Sequence, residues 1–170
     1  MTPAKIITKR LILRPLGPED FDAIWEMVSD ESITRMLMSW PWPPSKDYTK
    51  ERLVAPAAKS GQISAVTLKG ETIGMAGVTG GSVWYSLRRA YWGKGFAQEV
   101  LAAKIKQGFS DPERDKLVAG TWSDNPASMH ILEKAGFERT GWGSVYCDGR
   151  NAEAEGPDYE LTRETWEARQ

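Results

Sequence analysis

The residues best suited to chemistry stand at two helix starts. Trp92-Gly93-Lys94-Gly95-Phe96-Ala97 lies between a strand-like run and an amphipathic run. Glycines in such a turn let the backbone come close to a ligand, and the unpaired N–H groups of the helix that follows carry partial positive charge. A phosphate or pyrophosphate suits that end, with Lys94, Arg88 and Arg89 as mobile cations beside it. Neither Gly-Lys-Ser/Thr nor three spaced glycines is present, which excludes the Walker and dinucleotide patterns. A tight strand-to-helix turn with no ligand fits the same residues.

The second start is Asn125-Pro126-Ala127-Ser128, an N-cap followed by proline at the first helical position. Ser128 shares a side with Ile131 and Leu132, so its hydroxyl either faces a cleft or only supports the cap. His130 is about 200° around the helix from Ser128, an exposed or rim position. Gly136 stops the helix, and Phe137 staples the exit.

Several elements must hold these residues. Thr8 to Leu16 alternates as a strand ending at Pro15, and Gly17-Pro18-Glu19-Asp20 opens a helix with Phe21, Ile24, Trp25 and Val28 as its buried stripe. Trp40-Pro41-Trp42-Pro43-Pro44 must be extended, and a second helix runs from near Ser45 to about Pro56. Strands over Ile63 to Leu68, Thr72 to Val78 and Ser82 to Leu87 are separated by glycine turns. A helix over Ala97 to Phe109 buries Ala97, Val100, Leu101, Ile105 and Gly108. Lys116 to Trp122 is a strand, Asn125 to Ala135 a helix, and Phe137 onward a last hairpin returning near Tyr159 to Thr162. The order β-α-α-β-β-β-α-β-α-β-β mixes an antiparallel meander with crossovers, so the fold class is α/β (or α+β) around a mixed sheet flanked by helices.

Composition narrows the functional classes. At 170 residues the chain is one domain, 1–170, and 22 basic against 23 acidic residues argue against a nucleic-acid-coating surface. No run reaches the roughly 18 apolar residues of a membrane span, and lysines and an arginine interrupt Met1 to Leu13, which is therefore not read as a secretory leader. A lone Cys147 and a lone His130 argue against disulfides and against cysteine- or histidine-based metal sites; together these favour a cytoplasmic, metal-free protein. Eight tryptophans in so short a chain ask for a cleft or an interface as well as a core.

Four segments in order, TKRLILRPL, IGMAGV, YWGKGFAQEVL and NPASMHILEKAGF, resemble the GCN5-related N-acetyltransferases (GNAT), in the branch that includes the ribosomal-protein N-terminal acetyltransferases. The resemblance covers almost the whole chain. It implies a sheet splayed between the strands at Ser82 to Leu87 and Lys116 to Trp122, with acetyl-CoA in the V as co-substrate and no metal. Backbone groups of Tyr85, Ser86 and Leu87 would pair with the pantetheine arm, one of them polarising the thioester carbonyl. The amides of Gly93, Lys94, Gly95, Phe96 and Ala97 would hold the pyrophosphate, Asn125 would bond the pantetheine, and Ser128 would act at the thioester sulfur. Trp92 stands where the family usually has glutamine or arginine, Leu132 where many members carry a tyrosine acid, and Glu71 falls in a turn, so no residue is assigned as base.

The implied activity is acetyl transfer to a primary amine, either a peptide N-terminus or a small molecule. α-Amino groups titrate at about 7.7 to 8.0, so roughly a tenth is neutral at pH 7, and a weak base or a water relay suffices. Trp40 and Trp42 fall where relatives bind the acceptor, and Trp84, Tyr85 and Trp122 flank the splay; several of them would line an acceptor pocket, or else simply pack. The competing classes are a non-catalytic CoA-binding module and a phosphate or nucleotide binder. Neither a nucleic acid nor a membrane is expected as partner, and a monomer or a homodimer is compatible with the sequence.

Overall fold

The computed structural model describes residues 5–170; Met1–Ala4, the first part of the segment read above as lacking a leader, lie outside the described residues. One eight-stranded sheet organises the chain. Its strands are β1 (Ile6–Ile7), β2 (Ile12–Pro15), β3 (Ile63–Leu68), β4 (Glu71–Thr79), β5 (Ser82–Leu87), β6 (Lys116–Gly120), β7 (Glu138–Cys147) and β8 (Ala152–Thr162), in the spatial order β1-β2-β3-β4-β5-β6-β8-β7. The helices are α1 (Phe21–Val28), α2 (Glu31–Thr34), α3 (Lys46–Leu53), α4 (Pro56–Lys59), α5 (Phe96–Gly108), α6 (Pro126–Lys134) and α7 (Arg163–Ala168). Among the described residues no helix is long and apolar enough to cross a membrane.

Every neighbouring pair is antiparallel except β5 and β6, which run parallel because α5 carries the chain across between them. That parallel contact is a single register pair, Ser82 with Val118, together with the Val118 N–H donated to the Gly81 carbonyl at 2.9 Å. Beyond it the two strands part.

Side-chain alternation then gives the sheet two different faces. Val83, Leu117, Ala119, Tyr159 and Leu161 form one core with Leu101, Ile105 and Phe109 of α5 and Leu132 of α6. Ile63, Ala65 and Met75 pack on the opposite face beneath Ile24, Met27 and Val28 of α1, with Trp84 against them. Gly108 lets α5 come close to β6, since a Cβ there would lie 2.6 Å from Leu117. On α1 the buried stripe is Ile24, Met27 and Val28. Phe21 and Trp25 stack on each other, half-buried, at its edge.

The elements differ from the sequence expectation where side-chain bonds or a proline intervene. Of the expected strand from Thr8 to Leu16 only Ile12–Pro15 is a strand, because the Thr8 hydroxyl accepts the Leu11 N–H at 3.0 Å and folds the chain between it and the separate Ile6–Ile7 strand. The helix expected to run to Pro56 ends at Leu53, and Pro56 starts a separate turn as its first residue. The return strand of the last hairpin begins at Ala152 and is therefore much longer than expected, and the short helices α2 and α7 were not foreseen. The buried Asp20 joins three of these elements: it takes two hydrogen bonds from Arg14 of β2 (2.9 and 2.7 Å), one from the Thr72 hydroxyl of β4 and one from the Gly17 N–H.

One buried group is out of keeping with its surroundings. Lys104, on the inner face of α5, is fully buried and donates to the Ser64 hydroxyl (2.7 Å) and the Gln107 side-chain oxygen (2.8 Å), with no carboxylate beside it. Burial pulls its ammonium down to about 8. Between that value and about 10.5 the unfolded chain binds the extra proton, so raising the pH through this window stabilises the fold, and below pH 8 the burden of the buried charge is complete. Denaturant titrations of the protein and of Lys104→Met at pH 7 and pH 10 are therefore expected to diverge. The wild type should gain roughly 2–3 kcal/mol on the variant as the pH rises. A difference that does not move with pH would refute the account.

Candidate active site

The chain leaves β5 at Leu87, makes a short turn of 3₁₀ helix over Arg89–Tyr91, and enters α5 through Trp92-Gly93-Lys94-Gly95. Gly93 (φ +70) and Gly95 (φ +78) are left-handed, a backbone that side chains with a Cβ strain against. Gly95 is the N-cap of α5, and no side chain caps the helix there. A Cβ placed on Gly93 would meet nothing within 4 Å, so the space beside the turn is open. The turn therefore presents exposed main chain at the positive end of a helix, the features an anion site of the helix-terminus type requires.

A residue from the far end of the sheet keeps that terminus clear. Glu99, an acid in the first turn of α5, could cap it. Instead it is drawn sideways by the Thr8 hydroxyl (2.6 Å), the Arg10 N–H (2.7 Å) and the Arg10 side chain (2.7 Å). Burial alone would raise the Glu99 carboxyl, but these bonds hold it below its ordinary range. Arg10 also donates to the Lys94 carbonyl at 2.8 Å and lies 4.3 Å over the Phe96 ring, fixing the glycine turn from behind. In the sequence Arg10 is only one residue of the alternating run from Thr8 to Leu16, and nothing local marks this role.

The cations expected to be mobile are largely committed. Arg88 pairs with Glu26 (2.6 Å) and Glu71 (2.7 Å), and Arg89 pairs with Asp30 at 3.0 Å. Acids on α1, on β4 and at the start of α2 draw them away from the turn. Glu71 is thereby occupied as well, its carboxyl held low first by the Arg88 hydrogen bond. Lys94 remains exposed, its amine on the Ala90 carbonyl at 3.0 Å.

The parted strands supply the second half of the site. The Arg88 N–H bonds the Ile73 carbonyl at 2.8 Å, so by the alternation of an antiparallel ladder the main-chain groups of Ser86 face β4. Those of Tyr85 and Leu87 face the gap. This corrects the expectation for Ser86, whose hydroxyl also lies on the other side of the sheet, on the Met27 sulfur at 3.6 Å. The Leu87 carbonyl already accepts the Trp92 indole N–H at 2.8 Å.

Across the gap, Asn125 caps α6 by accepting the Ser128 N–H at 3.2 Å. The Ser128 hydroxyl is 3.2 Å from the Tyr85 hydroxyl, which reaches it from β5. Burial pushes the Tyr85 phenol up, against the opposing effect of Ser128, so at neutral pH it is a proton donor and not a base. The resemblance implies a backbone role for Tyr85, whose ring also counts among the aromatics flanking the splay; nothing local signals that its side chain crosses to Ser128. Leu132 is 2% exposed in the core and His130 is exposed.

Of the four tryptophans considered for an acceptor pocket, three are committed to packing. Trp40 is 5% exposed and edge-on to Tyr48 with ring centres 5.5 Å apart. Trp84 packs on the α1 core, filling the space that Gly77 leaves empty. Trp122 is buried with its indole N–H on the Met36 carbonyl at 3.1 Å. Trp42 differs. It lines an open depression of about 550 Å³ between α1, α2 and Arg88–Ala90, and it also borders a second depression with Arg35 and Arg150. Asp30, in the first of these, is held down to about 2, chiefly by hydrogen bonds from Arg89 and Ser32, and so stays ionised.

Comparison with known proteins gives this geometry its family. An uncharacterized N-acetyltransferase of Bacillus licheniformis, p20, is 26% identical over 148 residues, 80% of this chain and 83% of that protein. In fold the chain is similar to AAC(6')-Ib in complex with ribostamycin and coenzyme A (TM-score 0.73, 21% identity, covering 94% of this chain and 97% of the other). It is likewise similar to RimL, a ribosomal L7/L12 alpha-N-protein acetyltransferase (TM-score 0.76, 17% identity, 94% of each chain). The model of the acetyltransferase (GNAT) domain matches residues 10–138, from the arginine behind the glycine turn to the strand after α6, and the chain belongs to that family of acetyltransferases.

Proposed function

We propose that this acetyltransferase moves an acetyl group from acetyl-CoA to a primary amine, a peptide N-terminus or a small molecule, by direct attack of the amine on the thioester. The observation that carries the reading is that β5, left unpaired beyond Ser82, leads to an uncapped helix terminus at one end of α5 and carries Tyr85, whose hydroxyl meets that of Ser128 on α6. The thioester supplies an activated acyl carbon and a leaving thiolate; everything else is positioning by the chain.

Each residue then has a part. The amides from Gly93 to Ala97 hold the pyrophosphate at the positive end of α5. Tyr85 and Leu87 offer main-chain groups to the pantetheine arm as an added strand, a Tyr85 or Leu87 N–H also facing the carbonyl that becomes negative. Asn125 orients the arm from the α6 side. Ser128, coupled to the Tyr85 phenol, gives a proton to the departing sulfur. Trp42 lines the acceptor pocket, in the depression beside the ionised Asp30. The ribosomal-protein resemblance of the four sequence segments supports an α-amine, and the ribostamycin complex of a fold neighbour keeps a small amine equally in view.

Calorimetry with coenzyme A followed by thiol release over a panel of amines tests the reading; binding without turnover on any acceptor would leave only a CoA-binding module. Gly95→Val, which forces a branched side chain into a left-handed position, is expected to weaken coenzyme A binding at least about tenfold with the circular dichroism spectrum retained. Ser128→Ala and Tyr85→Phe are expected to lower kcat about 10²-fold while coenzyme A affinity holds, and a double variant should lose no more than either alone. Trp42→Ala should raise the acceptor KM roughly tenfold and leave kcat near the wild-type value; an unchanged KM in a folded variant removes Trp42 from the acceptor site.

A further inference from the structure

We propose that Asp158 is the carboxylate that receives the acceptor's ammonium group and takes its proton, from a notch on the sheet face opposite α5 and α6. The assignment rests on the acetyl-transfer reading above and names the base which that reading leaves open.

Asp158 stands in the middle of β8, where aspartate is a poor residue for a strand. Tyr159 beside it is 1% exposed, packed in the core that α6 covers, so the period of two puts the Asp158 side chain on the other face, where it is exposed. Its register partners are Gly120 on β6 and Gly141 on β7, with Gly143 on the diagonal. A Cβ built on Gly120, Gly141 or Gly143 would lie 3.8, 3.7 or 3.2 Å from its carboxylate oxygens. The side chains that ordinarily flank a strand residue are thus missing on every one of these sides.

The other acids of β8 are all engaged. Glu153 accepts from the Ser144 hydroxyl at 3.2 Å, Glu155 from the Trp142 indole at 3.2 Å, and Glu160 pairs with Lys116 at 2.8 Å. Among the described residues the Asp158 carboxylate alone on this strand has neither a hydrogen bond nor an ion pair. A carboxylate cleared of neighbours by three glycines and left without a partner is a site open to an external cation.

Its place along the gap suits the reaction. Gly120 is two residues, about 7 Å, past the Val118 that last pairs with β5, and Tyr85 is three residues, about 10 Å, past Ser82. Gly120 puts no side chain between the gap and Asp158, which is one strand spacing, about 4.8 Å, behind it. The Tyr85–Ser128 pair lies on the α6 side of the sheet and Asp158 on the opposite side, so an amine arriving there meets the carboxylate before it reaches the gap.

The protons balance. An ammonium gives one proton to Asp158, which releases it to water. The freed nitrogen pair forms the C–N bond as the C–S bond breaks, and the second nitrogen proton passes through Ser128 to the sulfur. The products are an amide, a thiol and one proton in solution.

The test uses the full chain with spermidine and a tripeptide bearing a free α-amine as probes. Asp158→Asn is expected to lower kcat/KM about 10²-fold on the amines accepted, with coenzyme A affinity within about twofold of wild type, and Asp158→Glu to restore part of the loss. Gly143→Leu, which fills the notch and keeps the carboxylate, should raise the amine KM at least about tenfold. The assignment is overturned if Asp158→Asn retains kcat/KM within about threefold, if coenzyme A affinity falls in parallel, or if a wild type that binds coenzyme A acetylates neither probe. A wild type that fails to bind coenzyme A instead brings down the acetyl-transfer reading itself.

Discussion

The structure depends on a parallel strand contact that stops after one pair. Strands left side by side normally zip together, because each unpaired N–H and C=O seeks a partner. Here β6 is bound firmly on its other edge, with five register pairs to β8 from Lys116–Thr162 to Gly120–Asp158. Past Gly120 the chain continues to follow β8, Thr121 donating to the Pro157 carbonyl and Ser123 to the Glu155 carbonyl. The long β8 thus pulls β6 away from β5. On the far side β5 is locked into β4 through Thr79 and Gly74, so neither strand can turn to close the gap.

What lies around the opening follows from that parting. The crossover helix α5 must start where β5 ends, which sets its positive terminus at the mouth, and α6 must start where β6 ends, which sets Asn125 and Ser128 on the opposite wall. The charges nearby are arranged so that, among the described residues, no acid fills the terminus. Glu99 is turned aside by Arg10 and Thr8, and Glu71 is held by Arg88. An external anion therefore competes with no resident carboxylate there.

Local chemistry was the part legible in the sequence. The glycine turn, the Asn125-Pro126 start of α6, the Ser45 cap of α3 and the turns between β3, β4 and β5 all depend on residues a few positions apart, whose types alone restrict the backbone. The contacts that complete the candidate site are not of that kind. Tyr85 and Ser128 are 43 residues apart, and Thr8 and Glu99 are 91 apart, joined only by the folded sheet. The tryptophans show the limit most sharply. A large ring with one N–H satisfies a core, as Trp40 and Trp122 do, or a cavity wall, as Trp42 does, and residue type does not separate the two. Lys104 misleads in the other direction: a charged residue in an apolar stripe reads as a solvent-facing neighbour, yet Ser64 and Gln107 give its amine a place inside.

Trp92 shows how a departure from a family pattern is absorbed. Where glutamine or arginine is usual at the head of the glycine turn, the indole reaches back and donates to the Leu87 carbonyl, while Arg89 lies 5.5 Å over its ring. The turn is thereby tied to the last residue of β5 on one side, as Arg10 ties it from behind. The same bond removes one acceptor from the free edge. Of the Tyr85 and Leu87 main-chain groups that face the gap, the Tyr85 N–H and C=O and the Leu87 N–H are left for a ligand, so donors outnumber acceptors. An edge with that balance favours a partner richer in carbonyl oxygens at the point where a thioester carbonyl would develop negative charge, and it sets the polarity of the site by main chain alone.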